Sequence, residues 1–179
     1  MLTLVIGGAR SGKSRFAQSL AADCRRVVYI ATARCEDAEM ADRIAQHRHD
    51  RPAHWVTVEE PLEIASVAQR HAAAGDLVLL DCLTIWLSNL FWEHRALPAA
   101  GLQAIASGEI GRLVEAACRT HLVAVTNELG CGLVPESAVA RLFRDAHGWM
   151  NQDVARAADS VYHLVAGIAV PIKRPGELR

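Results

Sequence analysis

The sequence predicts an α/β fold built on a mostly parallel sheet flanked by helices, and three observations lead there. Short runs rich in Val, Ile and Leu alternate with stretches of helical periodicity. The runs are apolar almost throughout rather than at every second residue, as strands covered on both faces are. The first run also passes directly into a glycine-rich turn that opens a helical pattern.

Five strands are expected, at Leu2–Ile6, Arg26–Thr32, Leu77–Asp81, Leu122–Thr126 and Ser160–Val165, each bounded by turn or charged residues. Helices are expected between them at Lys13–Asp23, Asp37–His49, Pro61–Ala74, Leu102–Arg119 and Glu136–Ala158, with Gly148 a point where the last can break. Residues 168–172 follow Gly167 closely enough to return as a hairpin on the fifth strand, which gives an antiparallel C-terminal edge. The stretch from Glu93 to Gly108, with Pro98 and scattered alanines, reads either as a surface loop or as the entry to the fourth helix. With 179 residues the chain supports one sizeable core and not two, so residues 1–179 are expected to form a single domain.

Composition narrows the partners. Half of the residues are apolar and the formal net charge is −1. No global field therefore recruits nucleic acid or an anionic membrane, and any bound anion must be held locally. Five cysteines without a C-x-x-C pair argue against a disulfide framework and a structural zinc site. The apolar start lacks the basic flank of a signal peptide, and no run reaches the roughly 18 apolar residues of a spanning helix. These features lead to an expectation of a cytoplasmic protein without membrane insertion.

Gly7-Gly8-Ala9-Arg10-Ser11-Gly12-Lys13-Ser14 satisfies G-x-x-x-x-G-K-[ST] at every fixed position. The residue types have mechanical causes. Glycines let successive backbone N–H groups turn inward onto phosphate oxygens, and a helix starting at Lys13 adds the positive end of its dipole. Lys13 is placed to reach the β- and γ-phosphates and the Ser14 hydroxyl to ligate magnesium, so the segment is expected to bind a nucleoside triphosphate. A metal partner should come from another strand. The apolar run ending in Asp81 has the required form, which makes Ser14 and Asp81 the expected magnesium pair.

Residues 43–55 hold three histidines and three arginines: Arg43, His47, Arg48, His49, Arg51 and His54. No cysteine or tight carboxylate set accompanies them to favour zinc. Two readings stay open on residue chemistry alone. One is a solvated basic helix end. The other is a second anion site, where arginines grip phosphate and an imidazole attacks phosphorus.

At this point the chain resembles the bifunctional adenosylcobinamide kinase/adenosylcobinamide-phosphate guanylyltransferase family, nearly end to end. The matching blocks are GGARSGKSRFA at 7–17, YIATA at 29–33, EMADRI-x-x-HR-x-x-RPAHW at 39–55, LLDCLTIWLSNL at 79–90, TNELGCGLVPES at 126–137 and RLFRDAHGWMNQDVARAAD at 141–159. The resemblance implies two reactions, phosphorylation of adenosylcobinamide by ATP or GTP and transfer of GMP from GTP through a guanylylated histidine. That histidine falls on His47, in the context of Ile44 and Arg48. Gln46 stands where some relatives carry a second histidine, and His49 lies outside the motif. Thr32, Ala33 and Arg34, then Arg48, His49, Asp50 and Arg51, with Glu59 and Asp81, match segments that contact the guanine nucleotide in the family. Lys13 and His47 are the catalytic residues so implied. Attack by His47 needs the unprotonated imidazole, so GMP transfer is expected to slow below about pH 6.5. The block at Thr126, Asn127 and Glu128 matches without a role. The family also implies a homo-oligomer, a trimer, for which Trp86, Leu90, Phe91 and Trp92 are either interface or plain core.

Overall fold

The computed structural model describes residues 1–34, Ala45, Arg48, 51–74 and 76–176. Seven strands form one sheet, as the sequence leads one to expect for an α/β chain. They are β1 (Leu2–Gly7), β2 (Val27–Ala31), β3 (Val56–Glu59), β4 (Leu77–Asp81), β5 (Leu122–Asn127), β6 (Ser160–Val165) and β7 (Ile168–Lys173). Their order is β3-β2-β4-β5-β1-β6-β7. All neighbours are parallel except β6 and β7, which pair antiparallel as the expected edge hairpin.

The described helices are α1 (Lys13–Ala21), α2 (Ile64–Ala73), α3 (Leu83–Glu93), α4 (Ala99–Ala117) and α5 (Ala138–Ala157). The helix expected at 37–49 lies, apart from Ala45 and Arg48, outside the described residues. Strand side chains alternate between two cores. Leu4, Val28, Ile30, Val78, Leu80 and Leu122 face one side, under α2, α3, α4 and α5. Val5, Tyr29, Leu79, Val123 and Val125 face the other, under Ala17 and Ala21 of α1 and Trp55.

Three local outcomes differ from the sequence reading. Helix α3 is an addition to the expected elements. Its residues Leu83, Thr84, Trp86, Leu87, Asn89 and Leu90 are all buried, so no polar face interrupts the apolar pattern and the helical period is masked. Helix α5 runs unbroken through Gly148, since Ala146, His147, Met150, Asn151 and Val154 bury one continuous stripe. Strand β3 is a short edge strand with mostly exposed side chains, which leaves only a weak apolar signal beside Trp55.

Of the aromatic cluster in 86–92, Trp86 is fully buried and its indole N–H donates to the Leu62 carbonyl at 2.8 Å. Leu90 is buried, Phe91 packs against the same core, and only Trp92 is exposed. Truncation Trp86→Ala removes the largest fully buried side chain and is expected to cost about 3–5 kcal/mol of stability. Denaturant unfolding monitored by circular dichroism checks this, and a loss below about 1 kcal/mol would contradict the packing.

Candidate functional site

The glycine-rich loop, Thr32, Glu59 and Asp81 sit at or just beyond the carboxyl ends of β1, β2, β3 and β4, the edge where open α/β sheets bind ligands. The glycine-rich loop links β1 to α1. Gly12 adopts φ +94°, a left-handed conformation open to glycine at little cost. A Cβ on Gly7 would meet the Leu164 carbonyl at 2.5 Å and Ser11 Oγ at 2.8 Å, so that position admits no side chain. The β6–β7 turn supports the loop from behind, with the Gly167 N–H donating to the Ser11 carbonyl at 3.0 Å. Gly8, Ala9 and Arg10 are exposed, while Ser11 and Lys13 are buried and Ser14 is half-buried. The first turn of α1 carries no acidic residue, so its amino end is free to meet an anion.

The Lys13 ammonium donates to the Gly8 carbonyl at 2.5 Å and lies 3.5 Å from Ser11 Oγ. Burial pulls its pKa below the usual lysine range, opposed by Cys82 and Asp81 nearby. Asp81 closes β4, one strand from β5 and two from the loop. Its Oδ2 accepts the Tyr29 hydroxyl at 2.6 Å. Burial, and then the Asp81 charge, hold that phenol well above its ordinary range, so it stays a donor. Ser14 and Asp81 offer hard oxygen ligands, and no group of three or more His, Cys, Asp or Glu stands together among the described residues. Hard oxygen ligands of this kind suit magnesium better than zinc.

Thr32 follows β2 and is fully buried. Its hydroxyl accepts the Cys82 N–H and donates to the Cys82 carbonyl, both at 2.9 Å, and Asn89 Nδ2 donates to the Thr32 carbonyl at 2.8 Å. Thr32 thus ties the end of β2 to the end of β4. Ala33 is half-buried, and the Arg34 guanidinium lies 3.7 Å from Glu93 Oε2. Burial and the adjacent Asp81 push the Cys82 thiol up to about 12. Iodoacetamide at pH 8 is therefore expected to modify the exposed Cys118 and Cys131 at least about ten times faster than Cys82, checked by peptide mass spectrometry.

A second feature opens at the β3 edge. Arg48, Arg51, Pro52, Trp55, Thr57 and Glu59 line a cleft of about 470 Å³. Arg48 pairs with Glu59, and Arg51 Nη1 donates to Thr57 Oγ1 at 3.3 Å. Two buried donors lining the cleft, Arg51 Nε and Trp55 Nε1, have no partner among the described residues. The Arg51 guanidinium lies 3.6 Å over the Tyr29 ring, the same tyrosine that donates to Asp81. One buried phenol therefore bridges the basic cleft and the strand end beside the phosphate loop. His47, His49 and Asp50 lie outside the described residues.

Sequence reasoning did not single out Tyr29, Thr84, Asn89, His147 or Asn151. The available signals were polar residues inside an otherwise apolar segment, and a His–Asn pair four apart among Ala146, Met150 and Val154.

Comparison with known proteins agrees with these features. The model of the cobinamide kinase / cobinamide phosphate guanyltransferase family matches residues 3–172. The "bifunctional adenosylcobalamin biosynthesis protein CobU" of Escherichia coli strain K12 is 44% identical over 186 residues, covering 97% of this chain and 100% of that one. The corresponding CobP protein of Pseudomonas aeruginosa is 44% identical over 174 residues, covering 97% and 98%. Among solved structures, an ATPase of a bacterial type III secretion system superposes with a TM-score of 0.60 at 13% identity, over 92% of this chain and 52% of that chain. At that identity the likeness concerns the fold alone. No described helix is long and apolar enough to cross a membrane. With a family model spanning all but the ends, and near-full-length relatives at 44% identity, the chain belongs to the cobinamide kinase / cobinamide phosphate guanyltransferase family.

Proposed function

We propose that this chain, as one domain, catalyses two phosphorus transfers on one nucleotide-binding edge. In the first, ATP or GTP gives its terminal phosphoryl group to the hydroxyl of the aminopropanol arm of adenosylcobinamide. In the second, His47 attacks the α-phosphorus of GTP, pyrophosphate leaves, and the GMP then passes to the cobinamide phosphate to give adenosyl-GDP-cobinamide. The observation that carries this reading is the Arg51–Tyr29–Asp81 bridge. It joins a basic cleft suited to a second anion to the strand end that faces the phosphate loop.

The residues divide the work. The backbone N–H groups of Gly8 to Lys13, with the Lys13 ammonium, hold the triphosphate. Ser14 and Asp81 hold magnesium, whose charge, when bound, offsets that building on the phosphates. Thr32 fixes the Cys82 backbone and so the aim of Asp81. Arg48, Arg51 and Glu59, with Ala33, Arg34, His49 and Asp50, form the side that meets the guanine nucleotide. A simple kinase whose basic cleft only clamps phosphate is the main competing reading.

Incubation with GTP labelled at the α-phosphate separates the two. The expected result is a covalent label on the protein that is lost in acid and kept in base, as a phosphoramidate is. Absence of any such label, with cobinamide still phosphorylated, would leave the kinase alone.

A further inference from the structure

The block at Thr126, Asn127 and Glu128 has no part in the scheme above, yet it ends the strand between the phosphate loop and Asp81. Asn127 pairs with Gly7 on β1, and Asp81 pairs with Val125 two residues earlier on the same strand. The Glu128 N–H donates to the Gly7 carbonyl at 3.0 Å, so the turn is fastened to the start of the loop.

Beneath it lies a closed ring of buried polar side chains. Thr84 comes from α3, Thr126 from β5, and His147 and Asn151 from α5. Thr84 Oγ1 lies 3.0 Å from His147 Nε2 and 3.4 Å from Thr126 Oγ1. Thr126 Oγ1 donates to Asn151 Oδ1 at 2.8 Å, and Asn151 Nδ2 lies 3.4 Å from His147 Nδ1. One proton assignment satisfies these four contacts. His147 is neutral with its proton on Nε2, which donates to Thr84; Thr84 donates to Thr126, and Thr126 to Asn151. Asn151 donates back to His147 Nδ1. A second proton on the imidazole would set Nδ1–H against the Asn151 amide, donor against donor. Burial lowers the pKa of His147, with Glu128 opposing, in keeping with a neutral imidazole.

The ring holds one thing in particular, the Asn127 backbone. Thr84 Oγ1 accepts the Asn127 N–H at 2.8 Å, and Asn151 Nδ2 donates to the Asn127 carbonyl at 3.0 Å. The side-chain amide of Asn127 is half-exposed and has no partner among the described residues. Four buried polar groups are thus organised to fix the backbone of one residue whose own amide meets no described partner at the carboxyl edge of the sheet. Satisfied networks of this kind are rigid.

We propose that the Asn127 side-chain amide contacts the terminal phosphoryl group during its transfer, and that the Thr84–Thr126–His147–Asn151 ring is the device that aims it. The inference rests on the function proposed above. Position selects the terminal phosphorus. Asn127 is one strand from the loop, whereas the basic cleft at β3 is three strands away, roughly 14 Å at ordinary strand spacing. Asn127 touches substrate; His147 and Asn151 are positioning residues.

The test compares Asn127→Ala, His147→Leu and His147→Gln with the unaltered chain. Cobinamide phosphorylation by ATP and attachment of α-labelled GMP are measured side by side, with folding checked by circular dichroism. Asn127→Ala is expected to lower the kcat of phosphorylation about 10²-fold while moving the nucleotide KM less than about 3-fold. The ratio of phosphorylation to GMP attachment should fall at least about tenfold, because the second reaction breaks a different phosphorus bond. His147→Leu should shift the ratio in the same direction, and His147→Gln, which restores an N–H donor and an oxygen acceptor, should recover most of it. Unchanged kcat in Asn127→Ala, or equal loss of both reactions, would overturn the inference while the proposed function stood. Should His147→Leu fail to fold, the ratio in Asn127→Ala decides alone. An unaltered chain that phosphorylates no cobinamide would overturn the function itself, and this inference with it.

Discussion

Lys13→Ala is expected to reduce both cobinamide phosphorylation and GMP attachment by about 10²–10³-fold, the usual cost of deleting a charged donor aimed at developing charge. The effect should be this large because no other described group can replace the ammonium. Lys13 is the buried cation of the loop, and its ammonium sits between the Gly8 carbonyl and the side of the site occupied by Asp81 and Cys82. Arg10, the other cation in the loop, is exposed, where water and salt screen its charge. Both reactions need the triphosphate held, whichever phosphorus is attacked, so both should fall together and the nucleotide Kd should rise. Parallel assays with ATP, cobinamide and α-labelled GTP check the outcome. Phosphorylation retained at near its original rate would mean that the loop does not hold the donor.

His47→Asn is expected to abolish GMP attachment and to leave a substantial part of the phosphorylation. An asparagine side chain keeps a polar group at the position but cannot form the phosphoramidate, because its amide nitrogen is not nucleophilic. In the proposed scheme the terminal phosphoryl group goes directly to the cobinamide hydroxyl and requires no histidine intermediate. Label from α-labelled GTP should therefore disappear while cobinamide phosphate still forms. Equal loss of both products would assign His47 a general binding role in place of nucleophilic attack. Loss of label in His49→Asn and not in His47→Asn would move the nucleophile two residues along the chain.

These two predictions differ in what supports them, and the difference reflects what a linear sequence can carry. The phosphate loop was legible because its parts are contiguous: a strand, a turn that needs glycine at Gly7 and Gly12, and a helix starting on a lysine. The sheet was legible for a similar reason, since strands buried on both faces announce themselves as unbroken apolar runs. Its antiparallel edge followed from the short turn at Ala166 and Gly167. Asp81 stood out as a carboxylate closing an apolar strand, and it does end β4, where it accepts the Tyr29 hydroxyl.

What escaped the sequence was held in tertiary contacts. Helix α3 gave no periodic signal because it is buried on nearly every side, and its polar residues Thr84 and Asn89 point inward to bond strand ends. Tyr29 read as one more apolar residue of β2. Only folding stacks Arg51 on its ring and brings Asp81 to its hydroxyl, from residues 22 and 52 positions away. His147 and Thr84 are 63 residues apart and meet only when α3 and α5 close over β5. Sequence by itself determined the fold class, the glycine-rich turn between β1 and α1 and the family, because each depends on residue types at short, fixed spacing. Tertiary structure alone decided how the strand ends are aimed, because a hydrogen bond between distant segments leaves no periodic trace along the chain.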